Sequence, residues 1–161
     1  MSIRNAAKAI VYREGSILLV KYKNQNGKVH YELPGGGQHQ YETMEEAVIR
    51  ECKEETGYPV KVIRMAALAE EIFDDQELRR EYPDYVHRVH HIFMAEITED
   101  IALGLTEMDF NQEGTVWMDI NKISEVKLIP RQLRNRIQDI VKSENPIYLG
   151  VVHEEDLDRL I

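Results

Sequence analysis

One helix, marked at both ends and carrying acids on its apolar side, constrains this chain more than any other feature. Thr43 followed by Glu46 is a T-x-x-E capping box, which places a helix start there. Gly57 supplies the stop signal and Pro59 forbids continuation. At roughly 100° per residue, Met44, Ala47, Val48 and Cys52 gather on one side. Glu51 and Glu55 project into that apolar arc, Glu54 lies at its edge, and Glu46, Ile49 and Lys53 face away. Carboxylates on a buried helix face repel one another and lose hydration, so a cation must sit against them. A hard divalent ion, which takes carboxylate oxygens, answers that need. The structural alternative is an acidic helix face braced by Arg50 alone.

Immediately upstream runs Leu33-Pro34-Gly35-Gly36-Gly37. Three glycines let a backbone come close to a ligand, and their amides can approach phosphate oxygens, so Gly35, Gly36 and Gly37 are candidate substrate-binding residues. Glu42 precedes the cap and Arg50 stands beside Glu51, where a guanidinium can fix carboxylates through paired hydrogen bonds.

Gly36, five residues, Glu42, seven residues, then Arg50-Glu51-Cys52-Lys53-Glu54-Glu55-Thr56-Gly57-Tyr58 resembles the Nudix box, G-x5-E-x7-R-E-U-x-E-E-x-G-U. Every fixed polar and glycine position is present. The two bulky aliphatic positions hold Cys52 and Tyr58, departures that touch packing and no charge, and Tyr41 stands where many members have glycine. The resemblance implies the Nudix fold, an α/β/α sandwich with a mixed sheet between helices, over a single domain spanning 1–161. It implies hydrolysis of a nucleoside diphosphate linked to another moiety, with Mg²⁺ or Mn²⁺ and a water nucleophile. Glu51, Glu54 and Glu55 would be metal ligands, completed by a carbonyl in the Gly36 region, with Glu42 and Arg50 as a bracing ion pair. Many members carry an acid just before a tryptophan strand as a further ligand or general base. Glu113, four residues before Trp117, holds that place here, with Gln112 and Asp109 as competitors. Glu54, Glu55 and Glu113 remain the candidates for general base.

Composition sets the bounds. At 161 residues, 43% apolar and 30% charged, the chain reads as one soluble globular domain. No run approaches the ~18 apolar residues of a membrane span, and no signal peptide is expected. One cysteine, Cys52, rules out an intrachain disulfide, fits a cytoplasmic location, and sits where packing rather than nucleophilic chemistry is expected. A net charge of −9 argues against a nucleic-acid polymer as partner, while a small anionic nucleotide remains compatible because metal ions bring their own charge. A homodimer, common in the family, stays open.

Strands are expected at 6–12, 16–22, 28–33, 60–73 (one or two), 85–97, 115–120 and 147–152, with Glu14-Gly15 and Asn26-Gly27 as turns. Residues 74–84 read as a loop, 130–143 as a helix, and 153–158 as a solvated helix or tail. His87 and His91 share a strand face and His90 opposes them, so they suit a strand better than a zinc site. Trp117 reads as core, and Lys21, Lys23 and Arg88 as surface cations.

The residues that separate Nudix subfamilies, a proline about fifteen residues past the box or a tyrosine a little further, are missing: Phe73 to Gln76 stand there. A nucleoside triphosphate, natural or oxidised, is the default substrate. The rival reading is a catalytically silent Nudix domain that senses or binds nucleotides.

Overall fold

The computed structural model describes residues 2–100, 102, 104 and 111–154. In chain order the elements are β1 (Arg4–Arg13), β2 (Ser16–Lys23), β3 (Val29–Glu32), β4 (Gly35–Gly37), α1 (Met44–Thr56), β5 (Val60–Phe73), α2 (Gln76–Glu81), β6 (His87–Ile97) and β7 (Gln112–Asp119). A 3-10 turn (Ile120–Glu125), β8 (Leu128–Ile129), a second 3-10 turn (Arg131–Leu133), α3 (Ile137–Lys142) and β9 (Ile147–Glu154) complete it.

The strands form a mixed sheet in the order β8-β3-β2-β1-β6-β5-β9, with β4 on β1 and β7 on β2. The pairs β1–β6, β3–β8 and β5–β9 are parallel, the others antiparallel. Strand alternation divides the core in two. Ala7, Ala9, Val11, Leu18, Phe93 and Ala95 pack with Ala47, Val48 and Cys52 of α1. Ile10, Ile17, Leu19 and Ile92 face the other way and pack with Ile123, Leu133, Ile137 and Ile140. The expected sheet between helices is therefore observed.

A fork in this sheet creates the site. Glu14 and Gly15 both have positive φ, the requirement of a tight turn whose twist matches its strands, and β1 and β2 pair only beside it, through Tyr12–Ile17 and Arg13–Ser16. Beyond that point they splay. Pro34 O accepts from Ala9 N at 2.8 Å, and Gly35–Gly37 pairs with Ala6–Lys8, so the glycine segment fills the fork.

Three expected elements change. Residues 74–84 contain α2, because Asp75 Oδ1 accepts the amides of Glu77 and Leu78 at 2.9 and 2.8 Å and caps a helix there. The single helix expected over 130–143 is broken into a 3-10 turn and α3, with Arg136 at φ −120° between them. Arg131 and Arg134, like charges three apart, disfavour continuous helix, yet Leu133, Ile137 and Ile140 stay buried as the apolar stripe requires. Strand β9 runs through His153 and Glu154, which the sequence assigns to a solvated tail, while 155–158 lie outside the described residues.

The histidines do not converge. His87 Nε2 is 3.4 Å from Glu70 Oε2, His90 Nε2 3.4 Å from Glu71 Oε2, and His91 Nε2 3.3 Å from Asn5 Oδ1. Trp117 is partly buried on the α1 side and meets Tyr58 edge-on at 6.2 Å, so the aromatic at the last box position fills space an aliphatic residue would take. Among the described residues, no helix is long and apolar enough to cross a membrane.

Candidate active site

Helix α1 forms where the capping box predicts. Thr43 Oγ1 accepts from Glu46 N at 3.1 Å, and Glu46 Oε2 accepts from Thr43 N at 2.8 Å. Gly57 closes the helix at φ 73°, donating to Lys53 O. Ala47, Val48 and Cys52 seat the helix on the sheet. Burial, then the neighbouring Glu55 carboxylate, push the Cys52 thiol well above its ordinary range, so it packs rather than reacts.

Arg50 gathers the acids. Its Nε donates to Glu42 Oε1 at 2.8 Å and its Nη2 to Glu42 Oε2 at 3.0 Å. Nη1 donates to Glu51 Oε1 at 2.7 Å and Glu54 Oε2 at 3.0 Å, and Nη2 also reaches Gly37 O at 3.1 Å. One guanidinium thus spans three carboxylates and the glycine loop. The Arg50 bond, aided by the His39 amide, holds the Glu42 carboxyl down to about 2.

Glu55, one turn after Glu51, is turned further inward. It is 4% exposed, and its Oε2 accepts from Gly35 N at 2.7 Å and its Oε1 from Tyr22 Oη at 3.2 Å. Gln112 Nε2 donates to Glu55 O at 2.9 Å. The carbonyl of the same glycine is held too: Lys8, 6% exposed, donates to Gly35 O and, at 3.1 Å, to Glu32 Oε2. Gly35 takes φ 136°, and a Cβ there would run into Ala7 O, so only glycine fits this seat in the fork.

Gly36 lies against Glu51. A Cβ at position 36 would fall 2.5 Å from Glu51 Cδ and Oε1. Glu42, Arg50, Glu51, Glu54, Glu55 and the three glycines are therefore brought together. Among the described residues, Glu113 shares no hydrogen bond or ion pair with this cluster. Its carboxylate meets Lys21 Nζ at 2.7 Å and Lys23 Nζ at 3.7 Å, and these lysines, chiefly Lys21 by hydrogen bond, hold it below the usual carboxylate range. A register shift between Lys21 and Tyr22 sets Gln112, buried, beside Glu55 instead. Asp109 lies outside the described residues.

Sequence reading does not single out Lys8, Glu32 or Tyr22. Lys8 leaves one usable signal, a lone charge inside the apolar run 6–11.

Among the described residues, no three His, Cys, Asp or Glu side chains surround one point at metal-binding spacing. The donor set nevertheless fits a hard cation. Glu51 and Glu54 already converge on one positive nitrogen, Glu55 follows on the same helix, and the Gly36 backbone abuts Glu51.

The NUDIX domain family model matches residues 2–139, and the chain belongs to the Nudix family. An ADP-ribose pyrophosphatase from Methanocaldococcus jannaschii is 49% identical over 57 residues, 35% of this chain and 34% of that protein. A Caenorhabditis elegans protein described as a nudix hydrolase is 34% identical over 71 residues, 42% of this chain and 20% of its own length. The matched segments thus span about a third and a fifth of these relatives. Among solved structures, a MutT protein from Bacillus halodurans superposes with a TM-score of 0.66 at 20% identity, covering 95% of this chain and 91% of that one. An ADP-ribose pyrophosphatase from Streptococcus suis gives 0.62 at 16%, covering 91% and 99%. These two share the fold.

Proposed function

We propose that this chain, as one domain, is a Mg²⁺-dependent (or Mn²⁺-dependent) hydrolase of the phosphoric anhydride bond in a nucleoside diphosphate linked to another moiety. The observation that carries the reading is the α1 face itself: Glu51 and Glu54 bridged by Arg50, Glu55 buried beside them, and a glycine loop resting on Glu51. Glu51, Glu54 and Glu55 would hold the metal, with the Gly36 carbonyl. When bound, it supplies charge neutralisation to the phosphate oxygens and acidity to a water molecule.

The chain's own residues do the rest. Glu42 fixes Arg50, and Arg50 holds Glu51 and Glu54 in line with the loop. Lys8 holds the Gly35 carbonyl and Glu55 the Gly35 amide, which helps set the path of Gly36 and Gly37. Glu54 or Glu55 would take the proton from the attacking water, and Glu113, paired with Lys21 and Lys23, is the less favoured third candidate.

A nucleoside triphosphate is the substrate the box surroundings favour by default. The second reading, ADP-ribose, rests on the archaeal relative's name and its 49% identity over 57 residues. A silent nucleotide sensor is the third, and the complete set of box acids weighs against it.

The deciding experiment is phosphate or pyrophosphate release from canonical and oxidised dNTPs, ADP-ribose, dinucleoside polyphosphates and nucleotide sugars, with Mg²⁺ and with EDTA. Metal-dependent turnover of one class supports the reading and names the substrate. No turnover together with nucleotide binding favours the sensor.

A further inference from the structure

Arg4 is an arginine the site above leaves unused. It opens β1, and its guanidinium lies against the Gly37 backbone: a Cβ there would fall 2.5 Å from Nη2, 2.8 Å from Cζ and 3.2 Å from Nε. Its Cζ is also 4.7 Å from the centroid of the Tyr85 ring. Among the described residues this guanidinium meets no carboxylate and no hydrogen-bond acceptor. That is unusual in a chain with 29 acidic residues against 20 basic ones, whose other site arginine, Arg50, engages three carboxylates.

Its neighbours are tied in place. Arg4 pairs with Arg88 across β1 and β6, and Arg88 Nε donates to Tyr85 O at 2.9 Å. Arg88 Nη1 in turn stands 3.8 Å from the buried Glu71 carboxylate. The amide and hydroxyl of Ser2 both donate to Asp84 Oδ1, at 3.0 and 2.9 Å, so the start of β1 is fastened to the segment bearing Tyr85.

Consecutive residues of a strand direct their side chains to opposite faces. The Gly36 direction meets the Glu51 carboxylate and the Gly37 direction meets Arg4. The glycine loop therefore stands between a carboxylate cluster that suits a metal and a guanidinium whose hydrogen-bonding edge is uncommitted. A planar guanidinium fork matches two oxygens of one phosphate.

We propose that Arg4, seated on Gly37 and against Tyr85, is a phosphate-binding residue of the substrate site. It takes a phosphate group of the nucleoside diphosphate derivative across the glycine loop from Glu51, leaving the bond to be cleaved on the carboxylate side. The assignment rests on the hydrolase reading for its kinetics and on the Arg4–Gly37 contact for its binding, so the two are tested separately.

Wild type, Arg4→Gln and Arg4→Met are compared after thermal melts establish folding; Arg4→Met keeps the apolar stem should Arg4→Gln fail to fold. With whichever substrate wild type hydrolyses, KM should rise about tenfold or more, as expected for losing a charge-assisted hydrogen bond, with a smaller fall in kcat. In the second measurement ADP, to millimolar concentration, is added to metal-free protein while the Gly37 amide and arginine Nε–H resonances are followed. Gly37 should shift in wild type and stay still in Arg4→Met. An unshifted Gly37 in wild type, or the same shift in both proteins, overturns the assignment, as does an unchanged KM. If wild type hydrolyses nothing, the hydrolase reading fails and the resonances alone decide the fate of Arg4.

Discussion

The Gly36 backbone rests on the carboxylate of Glu51, so closely that a Cβ at position 36 would lie 2.5 Å from Cδ and Oε1 and 2.6 Å from Oε2. The contact joins the glycine loop to α1 at the point where both would face a metal. Glu51 is held there by Arg50 at 2.7 Å and cannot swing away without breaking that bond. Gly36→Ala should therefore displace the carboxylate or the loop. Overpacking of this kind costs about 1–3 kcal/mol, a fall of roughly 2–12 °C in Tm for a domain of this size. Turnover should fall by about a hundredfold or more, since a small misplacement of positioned groups is that costly. Initial rates and a thermal melt check both; wild-type rates would show that the contact carries no function.

Glu55→Gln separates charge from shape. The wild-type carboxylate accepts from Gly35 N and from Tyr22 Oη. A glutamine can accept from Gly35 N through its oxygen and donate to the tyrosine oxygen through its amide, so the buried seat stays satisfied. The fold should survive with Tm within a few degrees of wild type, while turnover falls by about a hundredfold or more. Wild-type-like rates in this variant would break the site assignment.

Glu113→Ala tests the third candidate for general base, whose carboxylate pairs with two lysines. The carboxylate is half-exposed and engaged by Lys21 and Lys23, and exposed pairs of this sort contribute little to stability. Turnover should stay within about threefold of wild type and Tm should barely move. A hundredfold loss of turnover in a folded variant would restore Glu113 as a base or ligand.

The helix face was legible in the sequence because its periodicity is local and its ends carry chemical marks: Thr43, Glu46 and Gly57 all act as their residue types predict. The Glu42–Arg50 pair was implied by the resemblance to the Nudix box, and the two residues do meet. What stayed hidden depends on distant chain segments meeting. The Lys8–Gly35 bond joins residues 27 apart and the Tyr22–Glu55 bond residues 33 apart, and neither spacing recurs as a pattern. The bond from Gln112, one of the competitors to Glu113, to Glu55 O lies beside a register shift that no alternation rule reveals. Helix α2 was a different failure, since Asp75 is an ordinary cap signal outweighed by the charge of its surroundings.

Lys8→Met should expose how far the glycine loop depends on a buried cation. Lys8 Nζ bonds Gly35 O and Glu32 Oε2, and both sites are largely out of water. Methionine keeps the stem but leaves the Gly35 carbonyl and the Glu32 carboxylate short of a donor, a cost of about 1–3 kcal/mol. His30 Nε2, 3.4 Å from Glu32 Oε1, limits the loss on the carboxylate side. Denaturant unfolding should therefore show lower stability. Turnover should fall in parallel, because the path of Gly36 and Gly37 is set by the same peptide. Full stability in Lys8→Met would mean that Glu55 and the pairing with β1 fix the loop without the lysine.

The Glu42–Arg50 pair should leave a signature in acid. The folded-state value of Glu42 is about 2, against 4.5 for the free group, with the Arg50 hydrogen bonds as the main cause. A carboxyl whose folded value is depressed stabilises the fold fully above its unfolded value. That contribution drains away as pH falls from about 4.5 to about 2. Glu42→Gln has no charge to titrate there. Above pH 4.5 the wild type should be the more stable by about 1–3 kcal/mol, the worth of a hydrogen bond to a charged group, and the difference should close on acidification. Thermal melts of both proteins at steps between pH 7 and pH 2 measure it. Equal stability of the two proteins across that window would mean that Arg50 is held by Glu51, Glu54 and the Gly37 carbonyl, with Glu42 an onlooker at the rim of the site.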